Sequence, residues 1–209
     1  MSYYSREVRR QMILEIAVSI AYQEGLSAMT VRRLAQEAKT AIGQIHHHFS
    51  SAGELRSEAF KLSIEQALNL LTDVGKKENV SCLEMLSWCL FIETHEEAHK
   101  YSKLWKEAEV ISFHDENMRD AFRLVTRQWH TAIIELLEKG VLNNEFTYSK
   151  PKELIAWRFI AYSYGLDGIF NLGIEGFGHK EYKEISHSTR EILGLSGIDD
   201  SDIKTFSLK

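Results

Sequence analysis

Proline is almost missing from this chain: Pro151 is the one example in 209 residues, beside 12 glycines. So few turn-forming residues argue against a many-stranded β architecture and for long helices. Cysteine is equally scarce, with Cys82 and Cys89 seven positions apart on one expected helix. That spacing is about 10.5 Å of helical rise, beyond the roughly 7 Å between Cα atoms that a disulfide spans. Both are expected to be reduced core residues, as in the cytosol. No run of 18 apolar residues occurs, so no membrane-spanning helix and no membrane partner is expected. Charges at Arg6, Glu7, Arg9 and Arg10 leave no signal-peptide core at the start. A cytoplasmic location is the expectation. Neither an internal repeat nor a low-complexity segment is present.

What the chain does have is enough apolar material for a sizeable core, 44% hydrophobic against 26% charged residues. Its net charge of −5 is unevenly spread. Residues 1–61 hold eight basic side chains against six acidic, a balance of +2. The remainder holds 17 basic against 24 acidic, a balance of −7. Basic residues therefore gather at the start of an otherwise acidic chain, which is where an anionic partner is expected to bind.

Residues 29–55, MTVRRLAQEAKTAIGQIHHHFSSAGEL, organise that basic segment. Thr30 is placed to cap a helix through the amide of Arg32 or Arg33, with Met29 stapled onto Leu34. Leu34, Ala35 and Ala38 form its apolar face, and Arg32, Arg33 and Gln36 lie off it. A four-residue turn, 39–42, leads to a second short helix, 42–48, expected to bury Ile42, Ile45 and Phe49. Thr40, Ala41, Gln44, His47 and His48 remain for another surface. Ser51 and Glu54 make a capping box for the next helix. Two short helices joined by a tight turn, the second with a polar and mostly uncharged outer face, spell a helix-turn-helix.

Thr30, Arg32, Leu34, Ala35, Ala38, Gly43, Ile45, His47 or His48, Phe49, Ser51 and Leu55 fall in step with the DNA-binding signature of the TetR family, and the run resembles it over 26 consecutive positions. Lys39 stands at the usual turn glycine, so a residue with a Cβ takes φ > 0 there. Ala41 replaces the usual serine, which moves the expected helix cap to Thr40. His46 and His48 occupy positions that are commonly tyrosine. The resemblance implies an all-α fold of about nine helices: a three-helix DNA-binding domain over 1–50, then a helical domain over 51–209 for ligand binding and dimerisation. It implies a sequence-specific transcriptional regulator, a repressor released from a palindromic operator by a small-molecule inducer. No enzyme, cofactor or metal is expected. The DNA-binding residues it implies are Thr30, Arg32, Arg33, Thr40, Ala41, Gln44, His46, His47 and His48. Among them Gln44 suits adenine, Arg32 guanine and Ala41 a thymine methyl, with His46 on phosphate.

Helical periodicity fills in the rest. Ser5 caps a first helix to about Glu24 with Val8, Met12, Ile16, Ile20 and Ala21 buried, and Gly25 ends it. Arg6 and Arg10 share a face suited to phosphate. A long helix after Ser51 is expected to run to about Gly75, with Lys76 and Lys77 opening a loop. An apolar helix over 81–94, one over 97–113 and a strongly periodic one over 115–139, stopped by Gly140, follow. A polar loop over 143–150 leads to Pro151 in the first turn of the next helix. Homodimer pairing is expected through the helix from Leu154 to Leu172 and a last one from His179 to Leu193.

Two patterns compete with this reading. His95-Glu96-Glu97-Ala98-His99 satisfies H-E-x-x-H, the pattern of a zinc-dependent hydrolase. It falls where one bundle helix ends and the next begins, with no recognisable third ligand beyond His114 or Glu109 and no β-sheet to hold a substrate. The run His46-His47-His48 cannot chelate as a unit, because consecutive helical residues point about 100° apart. A nonspecific DNA-binding protein is the other alternative. In the body, Trp88, Phe91, Trp105, Phe122 and Trp129 with Glu109 are the expected inducer-binding residues. Nearby acids (Glu93, Glu97, Glu107, Asp115) would suit a cationic or amphipathic ligand through cation–π contact.

Overall fold

The computed structural model describes residues 5–77, 80–90, 96–178, 180–181 and 194–196. In chain order it holds α1 (Arg6–Glu24), α2 (Val31–Glu37), α3 (Ile42–His48), α4 (Ala52–Lys77), α5 (Cys82–Leu90), α6 (Glu96–Ser112), α7 (Glu116–Leu142), β1 (Thr147–Tyr148), α8 (Lys152–Asn171) and β2 (Leu195–Ser196). The fold is all-α, with one two-residue antiparallel bridge in which Thr147 faces Ser196 and Tyr148 faces Leu195. That bridge lies in the segment expected to be a plain polar loop. Most of the expected last helix, from His179 to Leu193, lies outside the described residues. No helix among the described residues is long and apolar enough to cross a membrane.

The chain divides into two compact units, Met1–Asn69 with His99–Thr126, and Leu70–Ala98 with Arg127–Lys209. The first is built on a core of Ile13, Leu14, Ala17, Ile20, Leu26, Met29, Leu34, Ile45, Phe49, Leu55, Phe60, Leu104, Met118 and Val125. Ser5 caps α1 by accepting from the Val8 amide at 3.2 Å, and Gly25 ends it at φ 90°. Val8 and Met12 are exposed, against expectation. The core along α1 begins at Ile13, past the positions of Val8 and Met12.

The second unit has its own core, of Cys82, Leu83, Leu86, Ile133, Leu137, Phe146, Ile155, Ala156, Phe159 and Ile160. Cys82 is a buried free thiol. Burial, then the Glu145 carboxylate beside it, pushes that thiol up to about 11, so it is inert at neutral pH.

Two helices run on past the glycines near their expected ends. Gly75 lies inside α4, which carries on through Lys76 and Lys77. Gly140 lies inside α7, which ends instead at Leu142, with Asn144 taking φ 58° just beyond. Glycine permits a stop without compelling one. At position 140 its use is packing: an added Cβ would lie 2.2 Å from the Phe146 ring. Gly140→Ala should therefore destabilise the protein by about 1–3 kcal/mol despite a better helix propensity. Chemical denaturation is the check, and a raised midpoint would show that the ring moves aside freely. Pro151 sits one residue earlier than expected, as the N-cap of α8 with φ −55°.

Candidate nucleic-acid interface

Local chemistry builds the helix-turn-helix almost residue by residue. Thr30 Oγ1 accepts from the Arg33 amide at 3.1 Å, and Met29 behind it is fully buried. Helix α2 then turns Leu34 and Ala35 inward. Lys39 adopts φ 48°, as expected for a side chain standing at a glycine position. The turn closes through Lys39 N–H to Gln36 O at 3.2 Å and Thr40 N–H to Ala35 O at 3.0 Å.

The cap of α3 corrects one expectation. Ala41, not Thr40, is the N-cap, in extended conformation and with no side-chain hydrogen bond. A backbone contact, Gln44 N–H to Ala41 O at 2.9 Å, starts the helix instead. A second correction concerns the inner face. Ile45 and Phe49 are buried, but Ile42 is 46% exposed. The core ends at Ile45, one turn further into α3, so the first turn stands clear of it. The exposed set is therefore Ala41, Ile42, Gly43, Gln44, His46 and His47, with Thr40 and His48 half-buried.

Around this face the expected cations are unequally available. Arg32 is exposed. Arg33 donates to Glu24 from Nε at 3.0 Å and Nη2 at 2.6 Å, and to Glu37 from Nη1 at 2.8 Å. Its guanidinium thus ties α2 to the end of α1 rather than standing ready for a base. Those hydrogen bonds raise its pKa and hold Glu24 below the usual carboxylate range. Arg6 Nη2 donates to His47 O at 3.3 Å, satisfying a carbonyl at the end of α3. Arg10 lies 4.6 Å from the Phe49 ring centroid and 3.7 Å from both Glu54 and Glu58. Arg6 and Arg10 are thus committed to building the surface. His48 Nδ1 is buried with no hydrogen-bond partner among the described residues. Burial first, then His47 and the charges of Arg6, Arg10 and Arg9, lowers the His48 pKa, so the ring is neutral at pH 7.

The entry to α4 keeps half of its expected capping box. Ser51 Oγ accepts from the Glu54 amide at 3.0 Å. Glu54 Oε2 reaches one residue further than expected, to the amide and hydroxyl of Ser50 at 2.7 and 2.6 Å. These bonds, the hydroxyl foremost, lower the Glu54 pKa.

Two acids expected beside a ligand do structural work within the same unit. Glu107 Oε2 accepts from the Leu26 amide at 2.6 Å and from Ser27 at 3.4 Å. Asp115 caps α7 through the Met118 amide at 3.3 Å and pairs with Arg56 Nη2 at 3.3 Å. Glu109 is half-buried on α6. Of the expected ligand aromatics, Trp105 and Phe122 come together at 5.1 Å between ring centroids. Phe60 of α4, which the periodicity of the sequence passed over, packs against both, at 5.9 and 6.0 Å. The ring of Trp129 lies 6.5 Å from Tyr164 in the second unit. The side chain of Trp88, and Phe91 altogether, lie outside the described residues. So does His95, while Glu96 to His99 fall in the first turn of α6 with side chains not described. Among the described residues no three His, Cys, Asp or Glu side chains cluster to hold a metal.

Comparison with known proteins agrees with this geometry. Residues 13–59, from the buried part of α1 into α4, match the family model of the bacterial regulatory proteins of the tetR family. That stretch carries the DNA-binding domain of the TetR family of transcriptional regulators. The chain is 27% identical over 116 residues to the HTH-type transcriptional regulator PksA of Bacillus subtilis, a match spanning 55% of this chain and 57% of PksA. It is 23% identical over 159 residues to the HTH-type transcriptional repressor KstR2 of Mycolicibacterium smegmatis, covering 73% of this chain and 74% of that one. A solved transcriptional regulator from Saccharomonospora viridis, in complex with choline, shares the fold with a TM-score of 0.72 at 18% identity. That alignment covers 92% of this chain and all of the other.

Proposed function

We propose that this TetR-family regulator is a repressor that binds a short palindromic operator as a homodimer and is released by a small molecule. The observation that carries the reading is the exposed outer face of α3, with Gln44, His46 and His47 beside the exposed Arg32 of α2. A face of hydrogen-bonding side chains on a short helix held from behind by Ile45 and Phe49 suits the major groove. Residues 1–50 are the DNA-contacting part, and residues 51–209 serve ligand binding and pairing. Repression is supported by the mycobacterial relatives named as repressors. A protein that works on chromosomal DNA works in the cytoplasm.

Dimer formation through α8 is supported by a stripe of apolar side chains exposed among the described residues, although the Trp157 ring also stacks on His130 at 4.2 Å. Leu154, Trp157, Ile169 and Leu172 are all exposed, Leu172 at 72%. They fall at helical spacing, with Ala161 and Gly165 exposed between them. A Cβ on Gly165 would meet no atom of the described residues within 4 Å, so packing among them does not call for glycine there. A second helix approaching closely would. Two heads about 34–36 Å apart would then read successive major grooves. For the inducer, the Trp105–Phe122 pair, with Glu109 one helical turn from Trp105, suits a cationic or amphipathic molecule. The fold neighbour that binds choline is in keeping with such a ligand.

Selection of the purified protein on a random-duplex library at about 150 mM salt tests the reading. An enriched inverted repeat is the expected result. Retention without a motif would instead mark a nonspecific binder. Given an operator, Gln44→Ala and Arg32→Ala should each cost about 1–3 kcal/mol at one base position and relax specificity there. Equal weakening on operator and random DNA would assign both residues to the backbone.

A further inference from the structure

We infer that Ile42 is a specificity-determining residue that reads the 5-methyl group of a thymine in the major groove. This rests on the proposed operator binding and sharpens it. A lone exposed isoleucine on a protein surface needs no explanation, but this one has three features that a contact with DNA would account for. It lies in the first turn of α3 and is 46% exposed, whereas Ile45, three residues on, is fully buried and already anchors the helix. Its neighbours Ala41 and Gly43 are also exposed, so three successive positions offer the partner no side-chain hydrogen bond. Finally, Gly43 has no positive φ, and a Cβ there would meet no atom within 4 Å. A helix-interior glycine that neither conformation nor packing requires makes room for something outside the chain.

The chemistry of the surroundings names the occupant. Gln44, His46 and His47 are exposed on the same short helix, and Arg6 reaches its end. The charges of Arg6, Arg9 and Arg10 are all felt at His48. An apolar protein surface would meet this ring of polar and cationic groups badly, and a polyanion meets it well. Within a DNA major groove the apolar feature open to such a side chain is the thymine methyl. Isoleucine is branched at Cβ and stiff at χ1, so it presents its methyl groups with little further loss of freedom. The single methyl of Ala41, the expected thymine contact, sits on the cap before the helix and reaches less far.

The test uses the full-length protein and the operator obtained from the library selection. Each thymine of a half-site is replaced in turn by deoxyuridine, which removes the methyl and nothing else. One position per half-site is expected to weaken wild-type binding about fourfold, and about fifteenfold when both half-sites are changed. Ile42→Ala should bind the thymine and uracil operators equally, with base preferences elsewhere unchanged. Ile42→Val should keep most of the methyl dependence. Thermal melting of the variants should match the wild type, because the side chain is outside the core. An operator on which no thymine methyl matters, or on which its loss affects wild type and Ile42→Ala alike, overturns the inference and leaves the regulator reading intact. If wild type selects no inverted repeat at all, the regulator reading falls and this assignment falls with it.

Discussion

Ile169→Glu is expected to turn the proposed dimer into a monomer. In an interface with two-fold symmetry each surface patch meets its own copy, so one substitution sets two carboxylates against each other in a patch being desolvated. A like-charge juxtaposition of this kind costs several kcal/mol. A rise of at least about 100-fold in the dimer dissociation constant follows. Ile169 is exposed on α8, so the isolated chain loses no core packing. Sedimentation velocity should therefore show a halved mass while helicity is unchanged. Operator affinity should fall with it, because a single recognition helix reads too few base pairs to hold an operator alone. A variant that still sediments as a dimer would move the interface away from this stripe.

Phe49→Ala should strongly destabilise the head. Phe49 is 1% exposed, closes α3 through its amide to Ile45 O at 2.9 Å, and carries the Arg10 guanidinium over its ring. Truncation leaves a cavity beneath the recognition helix and removes a cation–π contact, for a loss of about 3–5 kcal/mol. Whole domains are stable by only about 5–15 kcal/mol. Denaturant titration should show the loss, and amide exchange should speed up first in α1 to α3. Phe49→Leu should recover most of the stability. A Phe49→Ala variant within about 1 kcal/mol of wild type would mean that the ring is not what holds α3 in place.

Much of the head was legible because its determinants are local. The Thr30 cap, the positive φ of Lys39, the inward Leu34 and Ile45, and the hydroxyl of Ser51 on Glu54 all act within four residues or so of chain. Short-range steric and hydrogen-bond rules apply to such features before any tertiary contact forms. Misreadings collected where a distant residue makes the decision. Gly140 passes as a stop until Phe146 is seen packed on it. Glu107 and Asp115 look like ligand acids until the amides of Leu26 and Met118 and the guanidinium of Arg56 are found against them.

The same division holds for the candidate site. Which residues make a helix-turn-helix was set by the order of side chains along some 26 positions, and so was their resemblance to one family of regulators. Which of those residues face outward was decided by tertiary packing. Arg33 is turned toward Glu24 and Glu37, Arg10 is held over Phe49, and Ile42 is left exposed because the core ends at Ile45. Periodicity along one strand of sequence says how side chains are spaced around a helix. It does not say where the neighbouring core stops, and that boundary determines which side chains remain free to meet DNA.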